Sequence, residues 1–431
     1  MDQITKFHER IALEGVRLVI PETQRALAFA TLSQNVFPTT RTEAWKYTRT
    51  ARIANAHFAI QTSSEIPSIE NYKIEGLTGS VLVFVNGFYS ETLSEIIPET
   101  GLQVSPLSQV SPEWIAENST KNIAVEGEIF NAINTYYATD GVAISITKNV
   151  AATQSIQIIH LTTGSNNIAS TRNIIHALEN TQAHITFSYY GDNSSQNFTN
   201  TISEIHLEQN AKLFVDKIQA EGAEDFHIGT EQVIQERDST FTLTTSTFSG
   251  AIVRNNVHVQ VIGENAETNL FGTYLLNDKQ VVDNHTTVDH KVAHCISNEL
   301  YKGVLDDAST GVFNGKVFVR QDAQKINAFQ SNANVLLSDN ASMNSKPELE
   351  IYADDVKCSH GSTTGQIDEE AIFYLRARGI SEKSAKSLLL HGFIGDVLDK
   401  FTSEAVKEKV TTLVNNKLGV NKRVNATWKS D

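Results

Sequence analysis

A polar corner recurs through the middle of the chain at Asn149, Asn180, Asn210, Asp238 and Asn265, at spacings of 31, 30, 28 and 27 residues. After each corner comes a small or polar residue and then an alternating strand pattern, as in Ala183 to Tyr190, Lys212 to Gln219, Thr240 to Phe248 and Thr268 to Leu276. Between corners there is room for a second strand, for example Thr201 to Leu207 and Ile252 to Ile262. A unit of two strands and two turns cannot bury an apolar face alone, so the repeat predicts a β-solenoid in which each coil stacks on the next. Short strands also permit an antiparallel sandwich. Sandwiches seldom repeat at such a period with one corner residue type, which favours the solenoid.

Helical patterns flank this region. Phe7, Ile11 and Leu18, then Leu27, Ala30 and Leu32, recur at helical spacing over residues 1 to about 33, and Pro38 ends that stretch. A polar segment follows to about residue 75, Ser80 to Phe88 reads as the first clear strand, and 105 to 135 as a loop with short helices. Dense strands begin near residue 140. After Gln366 the period becomes helical: Ile372 and Leu375 start it, Ser381 and Ser403 are predicted caps, and Val406, Val410 and Leu413 share a face. Residues 366–431 carry 11 basic and 9 acidic side chains, a net of +2, against 24 and 41, or −17, for the first 365. The division predicted is therefore an N-terminal mixed and helical region (1–100), a β-helix core (101–365) and a C-terminal helical domain (366–431).

With 35 basic and 50 acidic residues, the chain would be repelled by nucleic acid and by anionic membrane, and neither is expected as a partner. Met1 to Arg10 has no continuous apolar run of the secretory kind, and no stretch approaches a membrane span. Two cysteines, Cys295 and Cys358, point to free thiols in a reducing cytoplasm. The run Gly311-Val-Phe-Asn-Gly315-Lys316-Val317 looks like a phosphate loop but has three residues between its glycines and no Ser or Thr for magnesium, so a glycine turn between strands is expected there. Nucleotide hydrolysis by this chain is not expected.

Cys358 and His360 sit two apart, so in an extended backbone both side chains leave one face and can grip one soft metal. Gly361 and Gly365 are expected to break that strand, and Asp368, Glu369 and Glu370 to open a helix ending at Gly379. A bare Cys-x-His pair supplies two ligands where closed zinc and cluster sites need four, so any site is incomplete or shared with another chain. His285, His290, His294 and Cys295 also lie close in sequence, but alternation sends them to different faces; strand and corner histidines beside a buried thiol are expected.

Asp354 to Gly379, with Tyr301-Lys-Gly-Val-Leu-Asp-Asp, Gly311-Val-Phe-Asn-Gly, Asp322-Ala-Gln, Asn327-Ala-Phe-Gln-Ser-Asn332 and Pro347-Glu-Leu-Glu-Ile-Tyr-Ala353, resembles the SufB/SufD family of iron-sulfur cluster assembly scaffolds. Glu43-Ala-Trp45-Lys46-Tyr47-Thr48, the short length and the lack of extra cysteines resemble the SufD type. The resemblance implies a right-handed parallel β-helix with helical ends, and a non-catalytic scaffold role. It implies pairing with a SufB-type homologue through the β-helix core and an ABC-type ATPase, SufC, docked on the helices after residue 366. A transient iron-sulfur cluster or iron would be shared with the partner, with His360 and, more weakly, Cys358 as ligands. No metal would be held stably by the lone chain, which would form a homodimer when unpartnered. Two alternatives stay open: a stand-alone metal-thiolate enzyme on a solenoid, and a structural solenoid in which Cys358 and His360 merely pack.

Overall fold

The computed structural model describes residues 3–12, 16–61, 68–119, 128–192 and 196–419; parts of the sequence expectations that fall elsewhere lie outside the described residues. A nine-stranded sheet runs through Ser342–Ile351, Thr310–Val319, Val281–His290, Ile252–Val261, Phe226–Gln235, Phe198–Leu207, Ile168–Ala177, Val142–Ile146 and Leu102–Pro106. The facing ten-stranded sheet runs through Lys357–Gln366, Asn327–Leu336, Ile296–Leu305, Glu267–Leu276, Thr240–Ser249, Lys212–Ala220, Gln182–Gly191, Ser155–Thr162, Gly79–Val85 and Phe88–Tyr89. The chain alternates between sheets, and pairing is parallel except at the far end, where Leu102–Pro106 and Phe88–Tyr89 pair antiparallel. Parallel stacking of coil on coil is the solenoid, and it excludes the antiparallel sandwich. Gly79–Val85 pairs with Ser155–Thr162, so the solenoid's first strand precedes the stretch where strands become dense.

The corner residues explain the repeat. Asn149, Asn180, Asn210, Asp238 and Asn265 all adopt left-handed backbone, with φ between 57° and 62°. Asn and Asp tolerate that region better than other side chains. They also bond each other along the stack: the Asn180 amide donates to Asn149 (3.0 Å), Asn210 to Asn180 (2.8 Å) and Asn265 to Asp238 (3.1 Å). The same corner continues at His294 (φ 65°) and Lys325 (φ 62°), which the residue pattern could not reveal because neither is Asn or Asp.

Inside, Ile, Val, Leu and Phe from both sheets form one continuous apolar core. Helices cover the outer faces. Glu22–Gln34 and Ile129–Tyr137, with Phe7, Phe37 and Phe58, bury the nine-stranded sheet at Phe198, Ile202 and Phe226. On the other side Glu382–Leu398 and Glu404–Lys417 bury Ile218, Phe248, Leu275 and Val304, using Leu390, Ile394, Val406, Val410 and Val414. Ser381 and Ser403 cap these helices as expected, accepting from Ser384 N and Val406 N. The helical spacing predicted through Ile11 does not give a helix there: Ile11–Ala12 pairs with Phe58–Ala59, and Ile11 is buried in the aromatic cluster beneath that short parallel ladder.

The Glu43 to Thr48 segment clasps the nine-stranded sheet. Trp45 is buried, its ring 3.8 Å from the Arg254 guanidinium and 4.9 Å from Phe130. Arg254 donates to the Ala44 carbonyl and to Asp283, both at 2.7 Å, and Thr48 donates to Asp283. Burial alone would raise the Asp283 carboxyl, but Arg254 and His285 beside it hold it well below the usual carboxylate range. A depressed carboxylate stabilises the fold above its unfolded pKa and loses that contribution as pH falls toward its folded one. Asp283→Asn leaves Arg254 buried and unpaired, at a cost of about 3–5 kcal/mol. Urea melts at neutral pH are expected to show that loss, and the gap from wild type should narrow below about pH 4, where the unfolded aspartate protonates.

Candidate metal half-site at the open end of the solenoid

The last coil is Ser342–Ile351 and Lys357–Gln366, each the edge strand of its sheet. In register, Cys358 lies over Ala328, His360 over Gln330, Ser362 over Asn332 and Thr364 over Asn334. The four residues beneath are buried inside the solenoid. Alternation therefore places Cys358 and His360 together on the inward face, as expected for an extended pair. From the facing sheet, Met343, Ser345, Pro347, Leu349 and Ile351 take the matching inward positions. Among the described residues no further coil covers this layer, so His360 is exposed and Cys358 half-buried against the core. Partial burial pushes the Cys358 thiol up, partly offset by the backbone at Ala328. It must lose that proton to ligate a metal. Alkylation of Cys358 in the isolated chain should therefore reach half its maximal rate at a pH above that of a free cysteine, read by mass spectrometry.

Two glycine expectations are corrected. Gly361 and Gly365 do not break the strand, which continues to Gln366 because its backbone is held in register with Asn327–Leu336. Nor do Gly311 and Gly315 form a turn: both lie inside the strand Thr310–Val319. They serve close approach. A Cβ on Gly315 would fall 2.2 Å from Gln330 Nε2, and one on Gly311 2.7 Å from Met343 Sδ. Gly303 likewise makes room for the Tyr274 ring, whose hydroxyl donates to Asn334 at 2.6 Å. The motif residues Tyr301, Gly303, Gly311, Gly315, Gln330 and Asn332 thus build the layers under the last coil. Asp368 caps Glu369–Ala377 by accepting from Ala371 N, and Gly379 (φ 86°) follows its end.

The histidine group after His285 does not converge. His285 bonds Asp283 on the outer face, His290 points inward to Ser297 at 3.0 Å, His294 is a corner, and Cys295 is a buried free thiol. Among the described residues no group of three or more His, Cys, Asp or Glu could hold a metal ion. Cys358 and His360 are soft and borderline donors suited to iron or an iron-sulfur cluster, but they supply two ligands. No described helix is long and apolar enough to cross a membrane.

The fold is thus a parallel solenoid with helices on both faces and a thiol-imidazole pair on its uncovered end. Residues 160–393 match the family described as SUF system FeS cluster assembly, SufBD core domain, and residues 6–158 match the SufBD protein N-terminal region. The chain belongs to the SufBD family. It is 29% identical to the iron-sulfur cluster assembly SufBD family protein slr0076 of Synechocystis sp., over 96% of this chain and 94% of that protein. It is 29% identical to the iron-sulfur cluster assembly protein SufD of Escherichia coli, over 96% of each chain. With the chloroplastic protein ABCI7 of Arabidopsis thaliana it shares 28% identity over 88% of this chain and 82% of that one.

Proposed function

We propose that this chain is a SufD-type scaffold subunit that pairs with a SufB-type homologue and a SufC-type ATPase to build and pass on iron-sulfur clusters, without a catalytic site of its own. The carrying observation is the uncovered last coil. It presents two edge strands of ten residues, each unpaired along its outer edge and with no further strand stacked on its inward side chains among the described residues. Free edges are templates for pairing with another chain. A homologous solenoid stacked there would cover the layer and bring its own donors to Cys358 and His360. The nascent cluster, or the iron acquired for it, is then cargo shared across the seam, and the lone chain holds none stably. The same end offers a homodimer contact when the partner is missing.

The ATPase would dock on the C-terminal helices, where Phe373 (73% exposed), Tyr374 and Leu388 stand in solvent. Phe373→Asp with Tyr374→Asp is expected to release the ATPase from a co-purified assembly while the SufB-type subunit stays. Retention of the ATPase would move its docking surface elsewhere. Co-expression of the three chains should give one complex; a chain that purifies alone from such cells would contradict the proposal. A stand-alone metal-thiolate enzyme is disfavoured by the donor set, which stops at two.

A further inference from the structure

Leu243, Leu270, Glu299, Gln330 and His360 occupy one inward column of the ten-stranded sheet, each in register with the next. Below them the column is Ile156, Ile185 and Val215. Its character changes at Glu299, and from there polar residues lead to the exposed imidazole. Glu299 and Gln330 are 3% and 4% exposed. Burying a carboxyl in an apolar stack is costly and asks for a reason. One Glu299 oxygen accepts from Thr286 at 2.6 Å. The other, and both polar atoms of the Gln330 amide, have no hydrogen-bond partner among the described residues. Gly315 leaves the space that the Gln330 amide fills.

Resting on the reading of His360 as a ligand, we propose that Glu299 acts through Gln330 as a positioning pair that fixes which nitrogen of His360 faces the metal. Successive coils lie about 4.8 Å apart, so each side chain reaches the next. An ionised Glu299 only accepts, so the Gln330 amide NH₂ turns to it and the Gln330 carbonyl turns to His360. That carbonyl accepts the ring N–H and leaves the other ring nitrogen's lone pair for iron, the arrangement metal-bound histidines use. A protonated Glu299 donates to the Gln330 carbonyl; the amide NH₂ then faces His360 and takes the lone pair the metal needs. Burial pushes the Glu299 carboxyl up to about 7, the Thr286 hydroxyl and the nearby, not yet bonded, Gln330 amide partly offsetting it, so the pair changes state near neutrality. The other titratable groups within the surrounding coils are Tyr301, Tyr274, His290 and the Lys217-paired Glu231.

The test measures iron and sulfide bound by the co-expressed complex across the neutral pH range, for wild type, Glu299→Gln, Gln330→Met and His360→Ala. Cys358 and His360 are present in both wild type and Glu299→Gln, so a difference between those two loading profiles reports on Glu299. Metal affinity is expected to fall about 10- to 100-fold in Glu299→Gln and Gln330→Met, with the rise in loading through neutral pH lost in the first and subunit stoichiometry unchanged in both. A wild-type affinity and pH profile in Glu299→Gln, or wild-type loading in Gln330→Met, overturns the positioning role even if His360→Ala abolishes loading. Wild-type loading in His360→Ala instead removes the ligand reading on which the positioning role rests.

Discussion

His360→Ala, made in the co-expressed assembly, is expected to leave the subunits associated and to reduce bound iron and sulfide to background. The side chain is exposed at the rim of the last coil, and it makes no hydrogen bond or ion pair among the described residues. Removing it should change stability by no more than about 0.5 kcal/mol, as for other surface substitutions away from special features. On the proposed reading its loss nevertheless takes one of two donors from the half-site, and a thiolate alone offers too little to hold a cluster at a seam. Size-exclusion chromatography with anaerobic metal analysis separates the two effects. Loss of the complex itself would recast His360 as a packing residue. Cys358→Ala should have a smaller effect, since that thiol is half-buried and costly to ionise.

The second large effect is expected from Leu349→Glu combined with Ile351→Glu. Both residues lie on the inward face of the edge strand Ser342–Ile351, and Ile351 is 40% exposed because no coil covers it. If a homologous solenoid stacks there, these are central apolar anchors, and each such loss costs about 2 kcal/mol or more, roughly 30-fold in affinity. The pair should therefore reduce capture of the SufB-type subunit by about a thousandfold. Capture of the ATPase, through helices on the outer face of the other sheet, should persist. Leu349 is half-buried against the core, so a melt of the isolated chain accompanies the assay and separates lost folding from lost pairing. Undiminished pairing would mean that the partners meet elsewhere.

Much of the solenoid was legible because the corner needs left-handed backbone, and Asn or Asp supplies it in five successive coils. Strand bounds followed closely: Thr240 to Phe248 was expected and Thr240–Ser249 is observed. His294 and Lys325 hold the same left-handed backbone, supported by neighbouring coils, with residue types that do not advertise it. Glycine misled most. Gly311, Gly315, Gly361 and Gly365 read as breakers, yet each sits in a strand held by parallel neighbours, and the first two are small because Met343 and Gln330 fill the space above them. Cys358 and His360 were legible as a pair by alternation alone. The column beneath them was not, because Glu299, Gln330 and His360 are about thirty residues apart and become neighbours only through the register of three coils.

The most direct measurement is anaerobic iron and sulfide analysis of this chain purified alone and with co-expressed SufB-type and SufC-type partners. Cluster is expected in the complex and none in the lone chain, since on the proposed reading two donors become a full site only when a second solenoid closes the open end. Stoichiometric metal on the lone chain, or a complete complex without cluster, would contradict it.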